Sequence, residues 1–277
     1  MVTYVTAFAS AGYAPISVPV LETALTNVSD LTDIIFRGSG SAFAGVIVTS
    51  SRACEAWKVA VQSTIADAPS SSNSQTSWSS IPFYVVGNAT ASALSSLHEL
   101  FSTTPQQHLV PSPSMIQGQD CGNADNLARF IVQDLEGKND QSKLLYLTGD
   151  KNRESLPSIL NEASVRFDQL EVYGTQGSST FKDDLGRIME DHSQAKDWWI
   201  VFFAPSSAQF AIPVLETYFA LPRVAGSPGG THPSAKIAAI GRTTLAFLRD
   251  TLHLQVAATA SKPNPDCLLS AIRGAES

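Results

Sequence analysis

The chain has 277 residues and a mass of 29.5 kDa, the length of about two domains and enough for a sizeable core. Hydrophobic residues make up 43% and charged residues 16%, the balance of a globular chain and not of a disordered one. Lys and Arg number 18 against 25 Asp and Glu, a net charge of -7. That argues against a nucleic-acid partner but leaves room for small anions held by backbone N–H groups.

The predicted elements alternate. A strand at 16–20 (ISVPV) comes first, after a segment Thr3–Ala11 that reads as the end of a helix. A strand at 45–49 (GVIVT) leads into a helix at 52–66, and a strand at 82–86 (PFYVV) leads into a helix at 88–101. A helix at 123–136 follows. Next come a strand at 144–148 (LLYLT), a helix at 151–164 and a strand at 170–174 (LEVYG). The last strands are 199–203 (WIVFF), 236–240 (KIAAI) and 254–257 (LQVA), with a helix at 242–252. Most of the strand runs are continuously apolar, as in parallel strands buried on both faces. Strand then helix, repeated, implies α/β architecture with right-handed crossovers. The Ser-rich stretch 67–80 and the Pro/Gly-bearing stretch 222–235 read as loops.

No apolar run reaches the roughly 18 residues that cross a bilayer, so no membrane association is expected. The start, MVTYVTAFASAGYAP, has no basic region ahead of an apolar one, so a secretory leader is not expected either. Cys54, Cys121 and Cys267 are far apart and show no metal-ligand spacing, which fits reduced thiols in the cytoplasm. Without a secretory route, the sequons at Asn27 and Asn88 are chance matches. The segment GSGSAFAG (38–45) runs into a strand instead of following one, so it is not a dinucleotide loop. No hydrolase elbow, zinc-helix or phosphate-loop motif exists, and the five histidines are scattered.

An internal repeat organises the chain. VIVTSSRACEAW (46–57) matches VFFAPSSAQFAI (201–212), and YVVGNATASAL (84–94) matches AAIGRTTLAFL (238–248). VPVLET (18–23) matches VYGT (172–175). Thr49 precedes Gly87 by 38 residues, and Ala204 precedes Gly241 by 37. Matched elements at near-equal spacing indicate two related halves. In the second copy, LLYLTGD (144–150) precedes VYGT; the equivalent strand of the first copy would fall before residue 1. The first copy is therefore expected to lack its first strand, as in an N-terminally truncated protein.

The turns after the strands share one design. Thr49-Ser50-Ser51-Arg52, Gly87-Asn88-Ala89-Thr90, Gly149-Asp150, Ala204-Pro205-Ser206-Ser207 and Gly241-Arg242-Thr243-Thr244 each put small polar residues and a helix start at a strand's carboxyl end. Open α/β sheets bind ligands there, and helix N-termini offer free N–H groups to anions. The alternative is that these side chains are only helix caps. Arg52, Lys151, Arg153 and Arg242 lie at the same turns as candidate carboxylate partners. For each of them, surface solvation is the competing reading.

The segments VIVTSSRACEA, FYVVGNATASAL, CGNADNLARFI, LLYLTGDKNRESLPSIL, EVYGT, VFFAPSSAQF, KIAAIGRTTLAFL and NPDCLLSAI, in this order, resemble the uroporphyrinogen-III synthase family. The similarity covers about residues 13–273 and suggests a eukaryotic-type member. It implies two flavodoxin-like parallel-sheet lobes joined by two antiparallel linker segments. The chain would be interleaved, with 1–20 and 177–277 in lobe one and 21–176 in lobe two. The implied reaction closes hydroxymethylbilane, a linear tetrapyrrole with eight carboxylates, into uroporphyrinogen III with inversion of ring D. The protein would have to hold two distant rings and stabilise a cationic azafulvene and a spiro intermediate, without metal or redox cofactor. Hand-over of substrate from the preceding deaminase is the one protein contact the resemblance suggests.

Carried onto this chain, the resemblance makes Tyr173 of VYGT the candidate general acid. Thr49, Ser50, Arg52, Gly87, Asn88, Thr90, Asn123, Gly149, Ser206, Ser207, Arg242, Thr243 and Thr244 are the candidate substrate contacts. The family often has Pro at Ser51, Ser at Ala204 and Pro at Arg242. Ala204 thus lacks a hydroxyl contact, and Arg242 substitutes a charge for a backbone-only contact. Without the resemblance, the residues support a two-lobed α/β protein that binds a ligand at its strand ends. A non-catalytic binding protein, an inactive truncated homologue and an interaction scaffold then remain as alternatives.

Overall fold

The computed structural model describes residues 2–40, 42–64, 77–137, 143–152, 154–224 and 232–277. Most of the Ser-rich stretch 67–80 and half of 222–235 lie outside the described residues. In chain order the regular elements are α1 (Val2–Ser10), β1 (Leu21–Leu25), α2 (Val28–Arg37), β2 (Phe43–Val48), α3 (Ser51–Ser63), β3 (Phe83–Val85) and α4 (Gly87–Phe101). Next come β4 (Ile116–Gln117), α5 (Ala124–Leu135), β5 (Lys143–Gly149), α6 (Ser155–Glu162), β6 (Phe167–Gly177) and α7 (Phe181–Asp191). The last are β7 (Trp198–Phe202), α8 (Pro205–Leu215), β8 (Ala235–Ile240), α9 (Arg242–Ala246), β9 (Ala258–Ala260) and α10 (Pro265–Glu276). A π-helical turn, Phe247–Thr251, continues α9.

The chain divides into two compact units, Met1–Glu22 with Gln176–Ser277, and Thr23–Thr175. The divisions fall inside β1 and β6, which are sheet neighbours. Thr26 N donates to Val172 O at 3.0 Å and Ser178 N to Val20 O at 2.8 Å, so the two segments run antiparallel.

The central unit holds a sheet in the order β1-β6-β5-β2-β3-β4. Its β6, β5, β2, β3 and β4 are mutually parallel. β2 and β5 are buried almost end to end, which accounts for their unbroken apolar sequences. On one face α3 buries Ala53, Cys54, Ala56, Trp57, Ala60 and Val61, the helical spacing of a core-facing stripe. Trp57 stacks edge-on against Trp78 and Phe83, with ring centroids 5.1 Å apart in both pairs. Its indole N–H donates to Leu109 O at 3.0 Å, and that of Trp78 to Ile35 O at 2.9 Å, so neither large ring is buried with an unmade hydrogen bond. The opposite face packs Leu127, Ile131, Leu156 and Leu160 against Ile47, Tyr84 and Tyr146.

The terminal unit holds the parallel sheet β7-β8-β9. α7 and α8 bury Phe181, Leu185, Ala208, Ala211, Ile212 and Leu215 against one face. α1 and α10 cover the other face through Phe8, Leu268 and Ile272. Among the described residues β7 has no strand beyond it, whereas β2, its counterpart in the repeat, has β5 on one side and β3 on the other. Beside β7 lies an apolar cavity of about 750 Å³ lined by Phe8, Val18, Phe181, Trp198, Phe202 and Phe219, among others.

Several expectations shift. Residues 16–20 are not a strand, and β1 begins at Leu21; Pro15 and Pro19 supply no N–H to a ladder. Residues 254–257 carry only a bridge from Leu254 to Arg223, and the strand forms at Ala258–Ala260. The helix predicted over 242–252 widens into the π-helical turn after Ala246. α6 starts at Ser155 and not at 151, since Asn152 is engaged with Tyr146 instead. Residues 28–37, 181–191 and 265–276, unassigned from the sequence, are helices.

Candidate functional site

In the central unit, the parallel strands deliver their carboxyl ends, and the turns after them, to one edge of the sheet. The β2 turn starts with half-buried Thr49 and Ser50. Ser50 has extended backbone, and its hydroxyl accepts from Arg52 N at 3.2 Å, capping α3. Arg52 is exposed, with its guanidinium carbon 5.8 Å from the centroid of the Tyr173 ring. The β3 turn places Gly87 at φ 77, Asn88 in solvent and Thr90 inside, at 4% exposure. The Cys54 thiol donates to Ser50 O (3.7 Å) and Thr90 O (3.8 Å), linking the two turns from beneath. Burial pushes that thiol up to about 12, which marks it as a structural and unreactive cysteine.

Tyr173 sits opposite Gly149 in the β5–β6 register, just past an irregularity at Thr148/Gly149. A Cβ on Gly149 would stand 2.3 Å from Tyr173 Cε2, so the aromatic ring occupies the space that a side chain there would fill. Asp150 N donates to Tyr173 O at 3.1 Å, and Thr175 N donates to Asp150 Oδ2 at 3.0 Å. Thr49, Ser50, Arg52, Gly149 and Tyr173 therefore come together across neighbouring strands β2, β5 and β6. Asn123 caps α5, accepting from Asn126 N at 2.9 Å on its Oδ1. Lys151 is exposed at the rim, and Arg153 lies outside the described residues.

One participant was not anticipated from the sequence. Tyr146 is 1% exposed, and its hydroxyl donates to Asn152 Oδ1 at 2.8 Å. Burial pushes its phenol above the ordinary value. Tyr146 and Thr148 share a strand face at i, i+2 spacing, a signal that reads as plain core packing until the sheet order is known.

The terminal unit repeats the turn design. Ala204 is extended and caps α8 without a side-chain bond; Pro205 follows at the first helical position. Ser206 is half-buried, and the Ser207 hydroxyl donates to Ala204 O at 2.8 Å. Gly241 has φ 79 and ψ 160, and its N–H donates to Ala260 O at 2.9 Å. Arg242 and Thr243 are exposed, while Thr244 is 3% exposed. Thus Gly87 and Gly241 share a positive φ, and Thr90 and Thr244, three residues later, share burial. With those two threonines buried, the exposed groups of the turns are Asn88 in the central unit and Arg242 and Thr243 in the terminal unit. Free N–H groups at the starts of α3, α4, α5 and α8 suit carboxylates.

Uroporphyrinogen-III synthase of Schizosaccharomyces pombe is 27% identical over 269 residues, covering 97% of this chain and 90% of the relative. Uroporphyrinogen-III synthase of Saccharomyces cerevisiae is 29% identical over 160 residues, 56% of this chain and 54% of the relative. The crystal structure of uroporphyrinogen-III synthetase from Helicobacter pylori aligns at a TM-score of 0.38 and 18% identity, over 92% of this chain and 90% of that one. The family described as uroporphyrinogen-III synthase HemD matches residues 2–270. This chain belongs to the uroporphyrinogen-III synthase family.

Proposed function

We propose that this protein is a cyclising lyase that converts hydroxymethylbilane to uroporphyrinogen III in haem biosynthesis. The family match over residues 2–270 carries this reading. The net charge of -7 would disfavour a substrate with eight carboxylates if side chains alone had to bind it. Backbone N–H groups at helix starts, with hydroxyls beside them, remove that conflict because they add nothing to formal charge.

The chemistry asked of the protein is positioning and charge stabilisation. Loss of the substrate hydroxyl leaves a cationic azafulvene; attack through ring D gives the spiro intermediate, which reopens and closes with that ring inverted. The Tyr173 phenol gives its proton to the departing hydroxyl, which leaves as water. Loss of a proton from the α-carbon of the pyrrole that makes the closing bond, as that ring regains its aromaticity, balances the step. Thr49, Ser50 and Asn88 in the central unit, and Ser206, Arg242 and Thr243 in the terminal unit, are the proposed contacts for acetate and propionate carboxylates. Transient hand-over from the deaminase that makes hydroxymethylbilane protects a substrate that otherwise closes without inversion.

Three cysteines without disulfides fit a reducing cytoplasm. Among the described residues no helix is long and apolar enough to cross a membrane.

The test is Tyr173→Phe. Turnover should fall by roughly tenfold to a hundredfold, at the lower end of what a general acid supplies, and the uninverted isomer should rise. Unchanged turnover and an unchanged isomer ratio would remove Tyr173 from the reaction.

A further inference from the structure

Resting on the functional reading above, we infer that Arg52 and Gly149 are positioning residues that together fix the phenol of Tyr173. β6 carries Tyr173, β5 ends at Gly149, and β2 leads into the turn that carries Arg52; these three strands are neighbours in that order. A residue on β6 would ordinarily be walled off from the β2 turn by the side chain at the end of β5. Glycine removes that wall. The ring of Tyr173 leans over the strand end, with Cε2 at 2.3 Å and Cζ at 2.6 Å from where a Cβ of residue 149 would lie. Cζ bears the hydroxyl, so any side chain at 149 displaces the reacting group itself.

Arg52 engages the same ring at 5.8 Å from its centroid, within the range where a guanidinium is attracted to an aromatic face. Among the described residues no carboxylate lies in ion-pair distance of Arg52. The main chain of Tyr173 is held independently by Asp150 N at 3.1 Å, and the peptide two residues on by Asp150 Oδ2 at 3.0 Å. With the backbone fixed, the ring keeps its side-chain torsional freedom, and Gly149 and Arg52 limit that freedom. Arg52 is also a candidate carboxylate contact, and the two roles make different predictions.

A double-mutant cycle separates them. Arg52→Gln should lower the rate of inverted-isomer formation about two- to fivefold, the size of an exposed cation–ring contact, through kcat and not KM. In the Tyr173→Phe background, where no hydroxyl is left to position, Arg52→Gln should change nothing further. If Arg52 acts only by gripping a carboxylate, KM rises and the two effects multiply, which overturns the inference. Gly149→Ala should behave like Arg52→Gln but more strongly.

A second measurement does not depend on activity. The chain has six tyrosines, so protein labelled with 3-fluorotyrosine gives a tractable fluorine spectrum, with the Tyr173 line assigned as the one missing from Tyr173→Phe. That line should move or broaden in Arg52→Gln and stay put in Arg129→Gln, an exposed control on α5. An unmoved line in Arg52→Gln overturns the inference even if turnover drops. Absence of any inverted isomer from the unmodified protein would defeat the functional reading, and the fluorine line would still decide the ring contact.

Discussion

Two glycines set up a contrast that isolates backbone geometry from packing. Gly241 begins the turn that presents Arg242 and Thr243, at φ 79 and ψ 160, a region that essentially only glycine visits. Gly274 lies in the last turns of α10, with no positive φ. At both positions a Cβ would meet nothing within 4 Å, so neither substitution to alanine creates a clash. Gly241→Ala then carries only the conformational penalty, about 1–3 kcal/mol, less the roughly 0.4–1 kcal/mol that alanine recovers by restricting the unfolded chain. The net loss is about 1–2 kcal/mol, or a fall in melting temperature of roughly 2–8 °C at about 2–4 °C per kcal/mol for a chain of this size. Gly274→Ala should shift stability the other way, by up to about 1 kcal/mol, through helix propensity. Urea denaturation followed by far-UV circular dichroism reads both. If the two variants shift in the same direction, or Gly241→Ala is neutral, the turn does not need its glycine and the reasoning from the repeat fails.

Other consequences follow from single residues. Trp57→Ala removes a ring that is 1% exposed, two edge-on aromatic contacts and a hydrogen bond to Leu109, and should destabilise the central unit by about 3–5 kcal/mol in denaturant titration. Cys54, buried and with its thiol pushed up to about 12, should resist iodoacetamide in the native protein while Cys121 and Cys267 react, as read by peptide mass spectrometry. Glu276 accepts from the Tyr13 hydroxyl at 2.7 Å and the Trp199 indole at 2.9 Å, and the Tyr13 bond foremost holds its carboxyl below the ordinary value. A folded value below the unfolded one stabilises above the unfolded value, and that contribution disappears as pH falls through the folded value. The stability advantage over Glu276→Gln should therefore be present near neutral pH and vanish in acid, below the usual carboxylate range; a constant difference would contradict this.

Much of the architecture is legible because burial on both faces writes itself into sequence. Val46–Val48, Leu144–Leu147 and Ile237–Ile240 are continuous apolar runs, and each is followed by a small polar turn. The glycines at 87 and 241 are readable for the same reason: each sits at a strand-to-helix reversal that requires positive φ. The rest needs three dimensions. β9 is Ala-Thr-Ala, too short and too weakly β-forming to stand out, and its register is set by β8. Pro19 ends the apparent strand at 16–20 by removing a donor, an effect weaker in the residue pattern than its three apolar neighbours Ile16, Val18 and Val20. The meeting of Arg52 with Tyr173 joins residues 121 positions apart and depends on β5 lying between their strands. The sequence names both residues without showing that they touch. Tyr146 reads as core, and its bond to Asn152 is what ties it to the turn after β5.

The central claim is that this protein closes hydroxymethylbilane with inversion of ring D. The direct measurement is carbon NMR of the product formed from hydroxymethylbilane labelled in ring D, which reports the order of the acetate and propionate groups on that ring. The account predicts product with that order reversed, formed faster than the uncatalysed reaction. Product with the order retained throughout, at the uncatalysed rate, would contradict it.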